Sequence, residues 1–234
     1  MQSVGVILAG GTGSRVGSPV PKQLLGLGGK PLMEHCVAAF QEARGIDQIV
    51  IVMQPDYLAQ AEAIAPRYPK VAGVLPGGAS RTGSTLAALT HLAAMDPATK
   101  VLIHDAARPL VTPEIIDAVV TALETHDAVS VAVASSDTVF DVDDDGYVAA
   151  IPPRERLRRV QTPQGFRLGT ISHAYGQALA DPGFDGATDD CSVMFHYLPS
   201  VPIAVVEGSS TNLKVTDPAD FEQAEHLLGS NSPP

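Results

Sequence analysis

An apolar run ends at Leu8-Ala9 and opens directly into Gly10-Gly11-Thr12-Gly13, with Arg15 just beyond and Lys22 in the following Pro21-Lys22-Gln23. Glycine at positions 10, 11 and 13 removes Cβ atoms where backbone N–H groups would have to approach phosphate oxygens, and it permits positive φ angles. Arg15 adds a planar fork of donors and Lys22 a mobile point charge, which backbone dipoles cannot replace. The chemistry implied is the holding of a polyphosphate. Two better-known glycine loops do not fit. A P-loop needs Gly-Lys-Ser/Thr, but Gly17 is followed by Ser18 and Lys22 by Gln23; the dinucleotide fingerprint would need glycine where Val16 stands.

Other segments carry similar potential. Gly77-Gly78-Ala79-Ser80-Arg81 with Ser84 is a glycine turn entering a helix, whose backbone N–H groups suit a base or a phosphate, or which is an ordinary turn capped by Ser80. His104-Asp105-Ala106-Ala107-Arg108-Pro109 follows a buried strand, at the carboxyl end where open α/β sheets take their ligands. Asp105 suits a metal bridging phosphates or a ribose hydroxyl, and Arg108 an anion, although the two also read as a structural ion pair. His104 reads as a packed residue and not as a base. Arg154 and Lys214 are loop cations in an acidic chain, while Arg156, Arg158 and Arg159 read as solvated charge. Thr188-Asp189-Asp190 offers hydroxyl-binding groups or a cap for a helix over 189–197.

These residues need a frame. Short β-branched runs (4–8, 48–53, 71–75, 101–104, 129–134) alternate with helical patterns (31–43, 57–65, 80–94, 113–123), which predicts parallel strands joined by crossover helices. After residue 134 the rhythm breaks into a hairpin, 137–142 and 147–151 around the turn Asp143-Asp144-Asp145-Gly146, which suits a substrate lid or a dimerisation arm and lacks the EF-hand spacing. Asp217-Pro218 opens a closing helix to Leu228. At 234 residues and 45% hydrophobic content, one domain over 1–228 is expected, with an arm at about 135–165 and a flexible tail at 229–234.

Composition excludes some classes. A formal charge of −11 argues against a general nucleic-acid binder. The two cysteines, Cys36 and Cys191, form no C-x-x-C pair and read as small core residues. No apolar run reaches the roughly 18 residues of a membrane span, so a soluble cytoplasmic protein without membrane partners is expected.

In order along nearly the whole chain, A-G-G-x-G-x-R…P-K-Q, Gly77-Gly78 with Arg81 and Ser84, His104 to Pro109, Asp137-Thr138, Thr162-Pro163-Gln164, Thr188-Asp189 and Asn212 to Thr216 closely resemble the CTP-dependent cytidylyltransferases that act on sugar-alcohol phosphates. The resemblance implies a Rossmann-like nucleotide-diphospho-sugar transferase fold, α/β with a mostly parallel sheet flanked by helices, and a projecting β-arm that pairs two subunits. It implies attack by an alcohol phosphate on the α-phosphorus of CTP, with Mg²⁺ across the triphosphate. Arg15 and Lys22 would then stabilise the transferring phosphoryl group, and Arg154 and Lys214 would hold the acceptor phosphate. Residues Leu8 to Gly13, Gly77 to Arg81, Ser84, Asp105 and Ala106 would lie along the nucleotide, with Ser84 and backbone groups reading cytidine. Asp105, Arg108, Thr138 and Thr188 would surround the polyol, Thr138 and Arg154 coming from the second subunit. Ala79 departs from the family's frequent acidic or amide residue.

Two acceptors stay open. Gly10 and Asn212 to Thr216 look like the ribitol 5-phosphate enzymes, whereas Ala107 looks like the methylerythritol 4-phosphate enzymes. The first signal covers more residues, so ribitol 5-phosphate is the expected acceptor and methylerythritol 4-phosphate the alternative. A nicotinamide oxidoreductase is disfavoured by Val16 and by Gln54 after the second strand, and a non-catalytic nucleotide-binding module has no need for Arg15, Lys22, Arg154 and Lys214 together.

Overall fold

Strand β1 (Ser3–Ala9) is buried at every position, and its side chains divide between two cores with the period of two that a pleated strand imposes. Val4, Val6 and Leu8 join one core, Ile7 and Ala9 the other. Such a strand belongs inside a sheet covered on both faces. The computed structural model, which describes residues 1–11 and 20–230, places it there.

A small hairpin of β2 (Gly26–Leu27) and β3 (Lys30–Pro31) follows, and then the predicted alternation: α1 (Leu32–Glu42), β4 (Gln48–Met53), α2 (Leu58–Ile64), β5 (Val71–Pro76), α3 (Arg81–Leu92), β6 (Lys100–Asp105), α4 (Pro113–Ala122) and β7 (Ala128–Ala134). The arm carries β8 (Asp141–Val142) and β9 (Val148–Ala150), after which come β10 (Arg158–Arg167), α5 (Leu168–Ala180), α6 (Asp190–Tyr197), β11 (Ile203–Glu207) and α7 (Pro218–Ser230). The main sheet runs β11-β7-β10-β6-β1-β4-β5, parallel except for β10, which is antiparallel to both neighbours. Helices α1, α2 and α4 cover one face and α3, α5 and α6 the other, while α7 closes over Leu27, Leu32 and Val215.

The cap signals act as read from sequence. Ser80 accepts a hydrogen bond from the Gly83 N–H (3.0 Å) and Asp189 from Ser192 (2.8 Å), and the same residue-type rule places Thr112, which accepts from Ile115 (3.4 Å), ahead of Pro113. In the acidic turn, the Asp143 carboxylate accepts from the N–H groups of Asp145 and Tyr147, closing the hairpin on itself.

Besides the small β2–β3 hairpin, three elements went unanticipated: β10, α5 and β11. Strand β10 contains Pro163 flanked by Gln161, Thr162 and Gln164, a pattern that argues against a central strand. The pairing register with β7 shifts between Gln161 and Gln164, so Thr162 and Pro163 sit in an irregularity and the missing proline N–H leaves no gap in the ladder. The polar side chains are cross-links. The Gln161 amide donates to Ser209 O (2.8 Å), and Gln164 Oε1 accepts from the N–H groups of Asp190 (2.9 Å) and Cys191 (3.2 Å). At the carboxyl end, α7 continues through Gly229 to Ser230, past the predicted stop at Leu228, and residues 231–234 lie outside the described part.

Candidate active site

The chain runs β1, β4, β5 in one direction across the sheet and then returns to place β6 on the other side of β1. Ligands of open α/β sheets bind where the order reverses, because the loops leaving the two strands separate there. Leu8 lies opposite Asp105 in the β1–β6 register, and a cavity of about 380 Å³ opens just beyond them. Its walls come from four segments: Leu8 to Gly11 with Lys22 and Gln23, Ala79 to Arg81 with Ser84, Asp105 to Ala107, and Lys214 with Thr216.

The glycine loop is braced from outside. Gln23, buried in the turn after Pro21, donates its amide to the carbonyls of Ala9 and Gly11. Gly10 and Gly11 do not use the positive φ that the loop was expected to need. What Gly10 supplies is space: a Cβ there would stand 2.7 Å from Ser84 Oγ, and that hydroxyl donates to Ser80 O (3.0 Å) at the start of α3. Gly78 is more constrained, since its Cβ would meet the backbone carbonyl carbon of Gly83 at 2.6 Å, a clash that no side-chain rotation relieves. Thr12, Gly13 and Arg15 lie outside the described residues.

Charge in the cavity runs in an alternating line. Lys214 Nζ donates to Asp105 Oδ2 (2.8 Å), Arg81 Nε donates to Asp105 Oδ1 (3.1 Å), and Arg81 Nη2 donates to Asp190 Oδ2 (2.8 Å). Burial opposes ionisation of Asp105, but Arg81 and then Lys214 outweigh it and hold the carboxyl well below the ordinary carboxylate range. For Arg81, burial acts against the charged form, yet Asp190 and Asp105 together raise its pKa, so it stays a cation. Lys22 also lines the cavity, and its Nζ donates to Val215 O (2.7 Å), next to Lys214 in sequence. Two ammonium groups on one cavity and a buried, paired carboxylate form an anion-binding floor.

Below that floor His104 is fully buried, and burial pushes its imidazole down to about 4. The proton inventory is self-consistent for the neutral ring: Thr162 Oγ1 accepts from the Asp105 N–H (3.1 Å) and donates to His104 Nδ1 (3.0 Å), while Nε2–H donates to Arg108 O (3.2 Å). His104 is therefore a strut holding β6 to β10, as the sequence reading had it. Because its folded pKa lies below the unfolded value near 6.5, the unfolded chain binds this proton first. Stability should accordingly fall as pH drops from about 6.5 to about 4 and then level off, by on the order of 3 kcal/mol from this group. Urea midpoints of wild type and His104→Asn at pH 7 and pH 4.5 check this; an equally steep decline in the variant would place the acid lability elsewhere.

The cavity gathers Lys22, Lys214, Asp105, Ala106 and the expected nucleotide-side residues from Leu8 to Gly11 and from Ala79 to Ser84, with Gly77 and Gly78 backing the loop. Four expected substrate residues stand apart. Arg108 lies outside the cavity lining, where Nη1 donates to Asn212 O (2.8 Å) and Nη2 to Val160 O (3.2 Å), so its fork ties β10 to the 212 segment. Thr138 and Arg154 are exposed on the arm, and Thr188 lines a separate shallow depression beside α6. The sequence offered Gln23, Thr162 and Thr216 only as motif residues and Asp190 for hydroxyl binding or capping, without the roles they take in this assembly. For Asp190 the available signal was its position one residue after a cap, where a helix's first turn turns inward.

Among the described residues no helix is long and apolar enough to cross a membrane, and no cluster of three His, Cys, Asp or Glu side chains could hold a metal ion. Comparison with known proteins adds the family. The chain is 52% identical over 228 residues to a 2-C-methyl-D-erythritol 4-phosphate cytidylyltransferase of Thermobifida fusca, covering 95% of this chain and 91% of that one. It is 40% identical over 234 residues to a bifunctional ribulose 5-phosphate reductase/CDP-ribitol pyrophosphorylase of Haemophilus influenzae, covering 99% of this chain but 49% of that longer protein. Its fold superposes on the crystal structure of 4-diphosphocytidyl-2C-methyl-D-erythritol synthase from Anaerococcus prevotii with a TM-score of 0.85 at 29% identity, over 97% of this chain and 98% of that one. The family model for IspD, 2-C-methyl-D-erythritol 4-phosphate cytidylyltransferase, matches residues 4–230. With a cation-lined cavity at the reversal point of the sheet and this likeness across its length, the chain is a CTP-dependent cytidylyltransferase and belongs to the IspD family.

Proposed function

We propose that the acceptor is 2-C-methyl-D-erythritol 4-phosphate and that transfer takes place in the cavity between β1 and β6. The observation that carries the site is the meeting of Lys22 and Lys214 on one cavity with Asp105 between the glycine loop and α3. A phosphate-monoester oxygen of the acceptor attacks the α-phosphorus of CTP, the new P–O bond forms as the bond to the β-phosphate breaks, and pyrophosphate leaves. The nucleophile is already ionised at neutral pH, so no general base is needed, in keeping with a His104 that is buried, neutral and engaged on both nitrogens. The work left to the protein is alignment and stabilisation of spreading negative charge, which Lys22 supplies toward the phosphates and Lys214 toward the acceptor, with Arg15 a further candidate from sequence.

Mg²⁺ fits as a companion of the triphosphate. It accepts one or two protein carboxylates with phosphate oxygens and water completing its shell, and Asp105 is the carboxylate that lines the cavity. Its oxygens already accept from Arg81 and Lys214, so the phosphates would carry most of the coordination. When bound, the metal neutralises charge across the triphosphate.

The expectation of ribitol 5-phosphate gives way to the alternative. Gly10 had tilted the reading, yet its missing Cβ faces Ser84 Oγ on the α3 side, so its identity follows from packing against the nucleotide-side turn. The family model and the half-identical relative also support methylerythritol phosphate, whereas the ribitol-named relative is less similar. Thr138 and Arg154 would reach the site from a second copy. The arm's exposed Val139, Phe140, Val142, Tyr147, Val148 and Ile151 support that pairing, because so much apolar surface on a two-stranded projection favours burial against a partner. Pyrophosphate release with CTP and each acceptor in parallel tests the reading: kcat/KM should be at least about tenfold higher with methylerythritol 4-phosphate, which is about 1.4 kcal/mol of transition-state preference. A preference for ribitol 5-phosphate would restore the other acceptor.

A further inference from the structure

Asp190 has no exposed surface, and every oxygen of its carboxylate is used. Oδ1 accepts from Tyr175 OH (2.7 Å) and Thr85 Oγ1 (3.0 Å), and Oδ2 accepts from Arg81 Nη2 (2.8 Å). Its backbone N–H is tied in turn to Gln164 Oε1 on the central strand β10. Two elements, α3 and α5, thus fix the carboxylate, and β10 fixes the backbone that carries it.

A buried charge of this kind is poor evidence for stability, since desolvation consumes much of what pairing returns. What it does control is the guanidinium of Arg81. That group divides its donors between two carboxylates instead of forking onto one: Nε goes to Asp105 and Nη2 to Asp190. Nη1 is buried with no partner among the described residues, so the guanidinium is held from the Asp190 side and the Asp105 side alone. Asp105 is in turn the anchor of the cavity's Lys214. Remove the charge at 190, and a cation balanced only by Asp105, which it shares with Lys214, stands at the wall of a polyanion site. It is then free to swing onto Asp105 bidentately, which competes with Lys214 for Oδ2, or toward phosphate, which leaves Asp105 to Lys214 alone, and either movement changes the pairing that sets the place of Lys214.

We propose that Asp190 is a positioning residue for cytidylyl transfer, acting through Arg81 and Asp105 to set the place of Lys214. The inference rests on the cavity being the site of transfer. Its signature differs from that of a structural strut. Asp190→Asn keeps the shape and the acceptor oxygen but loses the charge, so kcat should fall by about tenfold to a hundredfold, the scale of a slight misplacement of a reacting group. KM for CTP should stay level or drop, because the wall becomes more positive, while KM for the acceptor rises.

Pyrophosphate release by the full chain with CTP, Mg²⁺ and methylerythritol 4-phosphate is measured for wild type, Asp190→Asn, Arg81→Lys and the double variant. A lysine keeps the charge at position 81 but cannot span both carboxylates, so Arg81→Lys should show the same split, and the double variant should be no slower than the slower single one. Multiplying losses in the double variant, or wild-type kcat in Asp190→Asn, overturns the proposal. Tyr175→Phe separates function from folding: it deletes one hydrogen bond to the same carboxylate and leaves the pair with Arg81 intact. Its thermal midpoint should drop with kcat within about twofold of wild type. A kcat loss in Tyr175→Phe as large as in Asp190→Asn would reduce Asp190 to a structural role. If Asp190→Asn does not fold, Arg81→Lys decides by the same criterion, and wild-type kcat there also overturns it. An inactive wild type would instead strike the assignment of acceptor or site.

Discussion

Replacing Lys22 by alanine is expected to lower kcat by about a hundredfold to a thousandfold, while CTP affinity falls far less. The reason is where the ammonium stands. Lys22 lines the cavity from a short 3-10 turn, Lys22–Leu24, anchored by buried Gln23, and its Nζ donates to Val215 O. On the proposed reading, ground-state phosphates would have other partners in the backbone of Gly10 and Gly11. Charge added during transfer needs a mobile cation that is already in place, and an interaction felt mainly in the transition state appears in kcat. Single-turnover rates together with calorimetric CTP binding check this. Equal losses in rate and affinity would make Lys22 a binding residue only.

Asp105→Asn should be the most disruptive change to the floor of the site. Its carboxylate compensates Arg81, whose side chain is 20% exposed, and Lys214, which is 42% exposed. Breaking a buried pair costs about 3–5 kcal/mol because a charge is left without its partner, and the solvated ammonium of Lys214 places this case near about 3 kcal/mol. For a chain of this length that corresponds to a fall of roughly 6–12 °C in thermal midpoint at pH 7. The pH dependence gives the sign. The folded pKa of Asp105 lies below its unfolded value, so its stabilisation is complete above about pH 4 and disappears only as pH falls through the folded pKa. The gap between wild type and Asp105→Asn should therefore persist from pH 8 to pH 5, and a gap that closes already at pH 6 would contradict this origin. Turnover should fall as well, since Lys214 loses its anchor.

Much of the frame was legible because it rests on local rules. The alternation of β-branched runs and 3.6-residue patterns announced β1, β4 to β7 and α1 to α4, and the caps at Ser80, Thr112 and Asp189 followed from residue type and spacing. Strand β10 was illegible for an equally physical reason. Its buried Gln161, Thr162 and Gln164 look like loop residues until their partners on the 209 segment, β6 and α6 are known, and Pro163 is tolerated only because the ladder is irregular there. Arg108 shows the converse. A cation in a ligand-side loop suggests an anion partner, and only the fold reveals that its fork also donates to two backbone carbonyls.

The sequence by itself determined the class of chemistry: a glycine loop with Lys22 after a buried strand, a carboxylate after another, and a later loop lysine are requirements of residue type and order that hold before any folding. Only the tertiary structure decided which charges meet. Lys214, Asp105, Arg81 and Asp190 come from four separate segments and form one line of alternating charge because the sheet reverses order at β1 and β6 and β10 threads between β6 and β7. Ion pairs act over a few ångströms, and distances that short between residues a hundred positions apart are set by topology and packing, not by spacing along the chain.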